Sequence, residues 1–154
     1  MTCNSSWTAP TITDFKNFFV RDFNYAPADD ASNLDYVIDA DITRSINEGV
    51  LNFNPNLGFN TQADATNAFM YLAAFNLVAN IQNSTKGLSS QSKFPISSNS
   101  VGGVSVSYQI PDKYRTQPIL SQYTQNGYGM KYLSLVMPFI IGRVTTATGT
   151  TTYT

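Results

Sequence analysis

From Ala65 to Ile81 the chain reads Ala-Thr-Asn-Ala-Phe-Met-Tyr-Leu-Ala-Ala-Phe-Asn-Leu-Val-Ala-Asn-Ile, and a helix drawn through Ala68 to Ala79 is apolar nearly all the way round. A helix with no polar face has to be covered on every side, so it belongs at the centre of a bundle or between subunits. Thr61 is placed to cap its start. The rest of the chain, or its neighbours, must supply the cover.

Amphipathic segments on either side are suited to that task. After Ser32, a possible cap, Leu34, Val37, Ile38, Ile42, Ile46 and Val50 recur at spacings of three and four, the stripe of a helix laid on a core. Upstream, Thr11 to Val20 predicts a short helix with Thr13 as N-cap and Phe15, Phe18 and Phe19 on one face. Asp22 to Pro27 breaks that pattern. Asn52-Phe-Asn-Pro-Asn-Leu-Gly58 is turn chemistry, because Pro55 and Gly58 stop a helix from continuing. Beyond Pro111 and Pro118, Ile119 to Tyr123 and Tyr128 to Met137 predict two helical pieces joined at Gln125-Asn-Gly127, with Leu133, Val136 and Met137 toward the bundle.

Two stretches depart from helical spacing. Asn83 to Lys93 is too polar to pack and predicts a loop. Val104, Val106, Tyr108 and Ile110 then alternate with Ser105, Ser107 and Gln109, the period of a half-buried strand, and Gly102-Gly103 suits a turn back to Ile96–Val101. Past Pro138 come Phe139, Ile140, Ile141, Gly142, Arg143 and Val144, and seven of the eleven residues from Val144 to Thr154 are Thr. Such a segment favours extended structure but has too little apolar surface to fold alone. It either stays in solvent or docks on a partner.

The expected fold class is therefore mainly α: a small helical bundle with an inserted β-hairpin near 96–110 and an extended C-terminal arm. The division is an N-terminal arm at 1–10, a helical domain at 11–137 and the arm at 138–154. At 154 residues and 42% hydrophobic, the chain is sized for one such domain.

Charge narrows the function. The formal net charge of -1 argues against a dedicated nucleic-acid binder, which needs clustered Lys and Arg. Nine of the ten acids lie at or before Asp64, whereas six of the nine bases lie after residue 82. That asymmetry is either chance or the mark of a ring with two faces of opposite sign, each selecting a different partner. The start, MTCNSSWTAP, lacks a basic region followed by an apolar run, and no apolar stretch reaches membrane-spanning length. The expectation is a protein kept in the cytosol or in a particle assembled there, with no membrane partner.

Chemistry is poorly provided for. The lone Cys3 cannot form an internal disulfide, and with no His in the chain there is neither a Cys/His zinc site nor an imidazole to activate a Ser. Asp35 and Asp39, four apart, suit solvated acids near a helix start better than a catalytic pair. Asn52, Asn54 and Asn56 imitate the alternation of a calcium loop but bring no carboxylate. P-loop, dinucleotide and Cys-x-x-Cys motifs are absent. The expectation is no enzyme, no cofactor and no metal. One Trp, ten Phe and nine Tyr are a high aromatic content, which packing explains better than a Tyr-built glycan site.

Two strings set the chain beside a known family: Ile96-Ser-Ser-Asn-Ser-Val-Gly-Gly-Val-Ser-Val-Ser-Tyr108, and Tyr123-Thr-Gln-Asn-Gly-Tyr-Gly-Met-Lys-Tyr-Leu133. With the Thr-x-x-Asp-Phe-like start of the helical part, they resemble the head-tail connector (adaptor) proteins of tailed bacteriophages over roughly residues 11 to 137. The chain departs from the family pattern at Gly103, a position that is often acidic, in its polar 83–93 loop, and in a helix from Tyr128 without a basic ending.

The resemblance implies a virion protein of the neck, assembled in the host cytoplasm. It implies a homo-oligomeric ring, usually dodecameric, beneath the portal protein, meeting the next neck or tail protein and letting genomic DNA through its lumen without specific binding. A C-terminal arm of the family kind would here be Pro138 to Thr154, with Phe139, Ile140, Ile141, Gly142, Arg143 and Val144 as portal-binding residues. An apolar-then-Thr segment is also suited to adding a strand to a neighbour. The hairpin residues Val101, Gly102, Gly103, Val104, Val106 and Tyr108 would meet a neighbouring subunit, and Lys113 and Arg115 are candidates to face the lumen. The alternatives are a head-closure or tail-terminator ring, or a glycan-binding module at the host surface.

Overall fold

The computed structural model describes residues 7–27, 36–86 and 117–141, with the backbone of 98–101 and 104–107. The described chain is mainly helical. Its five helices are α1 (Ile12–Phe18), α2 (Asp39–Asn52), α3 (Gln62–Lys86), α4 (Pro118–Tyr123) and α5 (Gly127–Ile141).

The apolar-all-round segment is the core of α3. From Ala68 to Leu77 every residue except Tyr71 and Asn76 is buried, and both α2 and α5 pack on the helix. Of the two placements open to such a helix, this stretch takes the centre of its own bundle. Small residues set the approach: Ala68, Ala73 and Ala74 are fully buried, and a Cβ on Gly49 of α2 would lie 3.2 Å from the Phe69 ring.

Helix starts follow hydrogen-bond chemistry. Thr61 caps α3 as expected: its Oγ accepts from Asp64 N at 3.1 Å while Asp64 Oδ2 accepts from Thr61 N at 3.2 Å, a reciprocal box that satisfies two otherwise orphaned donors. α1 has the same device, but its cap is Thr11 and not the expected Thr13. Three residues after Thr11 stands Asp14, which can accept in return; three after Thr13 stands Lys16, which cannot.

α2 starts six residues later than a Ser32 cap implies. Val37 is held extended by a parallel bridge to Tyr25, donating to Asn24 O at 2.8 Å and accepting from Ala26 N at 3.0 Å. A residue engaged in that ladder cannot also be helical, so the helix opens at Asp39 after Ile38, which contributes no side-chain cap. Ile42 and Ile46 are buried as the stripe requires, whereas Val50 is 44% exposed. Ser32, Leu34 and Asp35 lie outside the described residues.

At the other end, Pro118 opens α4 and Asn126 caps α5 through Oδ1, which accepts from Gly129 N at 2.9 Å. The starts of the two helical pieces fall within one residue of where the sequence puts them, and Leu133, Val136 and Met137 are buried.

The inserted hairpin is not supported as part of this fold. The helical body carries no strand. The backbones of Ser98–Val101 (β1) and Val104–Ser107 (β2) pair antiparallel, Ser98 with Ser107 through Val101 with Val104, and among the described residues they form a sheet of two strands. Two four-residue strands do not make an independently stable sheet, and Tyr108 and Ile110, which were to complete its apolar face, lie outside the described residues.

Candidate docking surface at the end of the bundle

The sequence-based arm begins at Pro138, and here the structure corrects it: α5 runs through Pro138 to Ile141. Proline in a helix removes a bond to the carbonyl four residues back and crowds it, at a cost of about 3 kcal/mol. Pro138 is in the last turn and on the exposed side. Packing holds that turn: the Phe139 ring sits 4.9 Å from Phe59 at an angle of 58°. Phe59 in turn stacks on Phe53 at 6.0 Å, and Phe53 and Trp7 both meet Phe69, at 5.3 and 5.1 Å. Phe139 is thus the outer member of an aromatic row that leads into the core. Ile140 beside it is 52% exposed.

This packing leaves a groove of about 320 Å³ between the start of α3 and the end of α5. Phe59, Leu135, Pro138 and Phe139 form its apolar part; Asn60, Asp64, Asn67 and Ser134 form its polar part. Asp64 is the only charged residue among the described lining residues, and its carboxylate makes its cap bonds through Oδ2. The arrangement suits an extended segment bearing a cation. A second groove, about 390 Å³ between Pro10–Thr13 and Thr43, Ile46 and Asn47, has no ionisable group among its described lining residues.

The other expected site residues fall apart in space or in definition. Ile140 and Ile141 are helical; Gly142, Arg143 and Val144 lie outside the described residues. Val101, Val104 and Val106 are on the paired backbones, while Gly102, Gly103, Tyr108, Lys113 and Arg115 lie outside. The groove residues Phe59, Asn60 and Asn67 were missed by sequence reasoning. Phe59 falls between a turn and a cap, where no period singles it out.

The weaker chemical constellations resolve into structure. Asn52 donates to Glu48 O, and Asn54 Oδ1 accepts from Asn56 N at 3.0 Å, so these amides complete a helix end and a turn. Asp39 is the first residue of α2 and pairs with Lys16 of α1. Asp35 lies outside the described residues. Among the described residues, no group of three or more potential metal ligands gathers.

Five tyrosines are at least partly buried in the core, and packing accounts for them. Tyr25 donates to Phe19 O at 2.9 Å and Tyr128 to Asp22 Oδ1 at 3.1 Å. Burial, then the nearby Asp22 carboxylate, pushes both phenols up to about 12. Burial does the same for Tyr132, reinforced by Tyr123.

Comparisons with protein-family models, with characterised proteins and with solved structures find no match to this chain.

Proposed function

We propose that the chain is a structural subunit of a tailed phage's head-tail connector, acting as one copy in a ring that docks on the portal and joins capsid to tail. The observation that carries this reading is the co-occurrence, in order, of the Ile96–Tyr108 and Tyr123–Leu133 strings in a mainly helical chain. The second string now has a physical content that supports treating it as a unit: it encodes the α4–α5 corner. Asn126 caps α5, and Gly129 is the residue that lets the helix pass against the Tyr123 carbonyl.

In this reading the helices form the body, the 96–110 region meets a neighbouring subunit, and the arm meets the portal. The arm begins later than the sequence suggests. Because Phe139 is packed on Phe59, the residues available to a portal are those after Ile141, with exposed Ile140 at their base.

Imaging the full chain bound to its portal tests the ring, with twelvefold symmetry as the expected result. A sixfold ring would reassign the protein to a head-closure or tail-terminator role, and a free monomer that binds glycans would abandon the connector altogether. For the arm, a chain ending at Ile141 should keep its helical signal and melting temperature yet lose portal affinity; unchanged affinity refutes the arm. A chain ending at Met137 is the wrong probe. It removes the Phe139 ring, and a half-buried Phe is worth about 1–2 kcal/mol of stability.

A further inference from the structure

The chain leaves α5 at the rim of the α3–α5 groove: Pro138 and Phe139 line it, and the helix ends two residues later at Ile141. Among its described lining residues the groove holds one charged residue, Asp64, flanked by the amides of Asn60 and Asn67. The sequence after Ile141 also holds one charged residue, Arg143, followed by a run dominated by Thr. The two are complementary. A carboxylate suits a guanidinium, amides suit hydroxyls and extended peptide groups, and the Phe59 and Phe139 rings suit the aliphatic stem of an arginine.

The groove lies alongside Ser134 to Phe139, behind the end of α5 at Ile141, so the chain would have to turn back within Gly142 and Arg143 to enter its own. A neighbour's groove needs no such reversal. We propose that the groove receives the segment from Gly142 onward of a second copy of this chain, with Arg143 against Asp64. Each subunit gives its tail to one neighbour and takes the tail of the other, a head-to-tail contact of the type that closes into rings.

This inference rests on the ring reading above and gives the arm two successive tasks, the neighbour first and the portal with the residues beyond Arg143. Length allows both. The thirteen residues after Ile141 reach about 43 Å when extended at ~3.3 Å each, more than the roughly 37 Å of the 25-residue α3.

Two variants test it by complementation. Asn67→Arg places a cation in the groove and leaves the tail intact; Asn67 is exposed, so the fold tolerates the change. The chain ending at Ile141 keeps the groove and lacks the tail. Sedimentation of each alone should show monomer, with self-association of Asn67→Arg weakened about tenfold or more. Mixed, the two should form one-to-one pairs that grow no further, because only one productive junction exists between them. Adding Arg143→Glu to Asn67→Arg should restore assembly. If Asn67→Arg assembles like the parent chain, or the mixture stays monomeric while the parent forms rings, the groove is not the seat and the ring reading survives. If the parent chain stays monomeric even with portal present, both readings fall.

Discussion

Replacing Gly129 by Ala tests the tightest contact in the bundle. A Cβ built there lies 2.1 Å from the Tyr123 carbonyl oxygen, 2.9 Å from its carbon and 2.7 Å from Phe75 Cδ2. Carbon and oxygen that are not bonded meet no closer than about 3.3 Å, so the carbonyl must retreat by roughly 1 Å. An aromatic ring can turn aside, but a backbone carbonyl one turn before the Asn126 cap cannot move without opening the α4–α5 corner. Overpacking of this kind costs about 1–3 kcal/mol, and disturbing the Asn126 cap adds ~1 kcal/mol. Against this stands the better helix propensity of Ala, up to ~1 kcal/mol. The net expectation is a loss of about 1–3 kcal/mol, or a melting temperature lower by roughly 2–12 °C for a domain of this size.

Circular dichroism during heating and urea titration measures the loss, with Gly127→Ala as the matched control. Gly127 has nothing within 4 Å of an added Cβ and is exposed, so only propensity acts there and stability should hold or rise. Combining Gly129→Ala with Phe75→Leu separates the two obstacles: if the carbonyl dominates, thinning the ring rescues nothing. A Gly129→Ala chain that melts at or above the parent would refute the close approach, and with it the structural reason given for the Tyr123–Leu133 string.

Thr61→Ala removes the acceptor for Asp64 N and should cost about 1 kcal/mol of stability in urea titration, with Thr61→Ser close to the parent. Alkali should unfold the protein in a defined window. Tyr25, Tyr128 and Tyr132 are raised in the folded state to about 12 from the ordinary 10.0. Folding therefore favours the neutral phenols, and stability should be level below pH 10 and fall as pH climbs from 10 to 12. Phenolate absorbance followed beside the melting temperature checks this, and a melting temperature flat across that window would contradict the burial of these rings.

What the sequence made legible divides along physical lines. The burial of Ala68 to Leu77 and the joint at Gln125–Gly127 were readable, because each depends on local pattern: an unbroken apolar surface, or a turn dipeptide between two helical stripes. Helix starts were readable only where the reciprocal acid was considered. Asp14 selects Thr11 over Thr13, whereas nothing near Val37 announces a bridge to Tyr25, a partner twelve residues away. The end of α5 failed for the same reason. Proline is a sound local signal for a stop, but Phe59, some eighty residues earlier, holds the next turn in place. The groove was invisible because it is made by that same long-range contact.

The satisfaction of α3 within its own bundle constrains how copies could associate. Were its apolar surface shared between subunits, a ring would be held by a core-like interface and its monomers would hardly exist alone. Instead α2 and α5 cover it. Among the described residues, the large apolar ones left exposed are Phe18, Val20, Val50, Leu51, Ile119, Met130 and Ile140, spread over four helices and one turn. Only Val50 with Leu51 are adjacent in sequence, and no single helix presents more than two of these residues, which is less than the apolar stripe of an obligate helix-to-helix interface. An assembly built from such a body draws its contacts from segments that leave it. This is why the residues after Ile141, and the groove at whose rim they depart, matter more to the proposed role than any helix face.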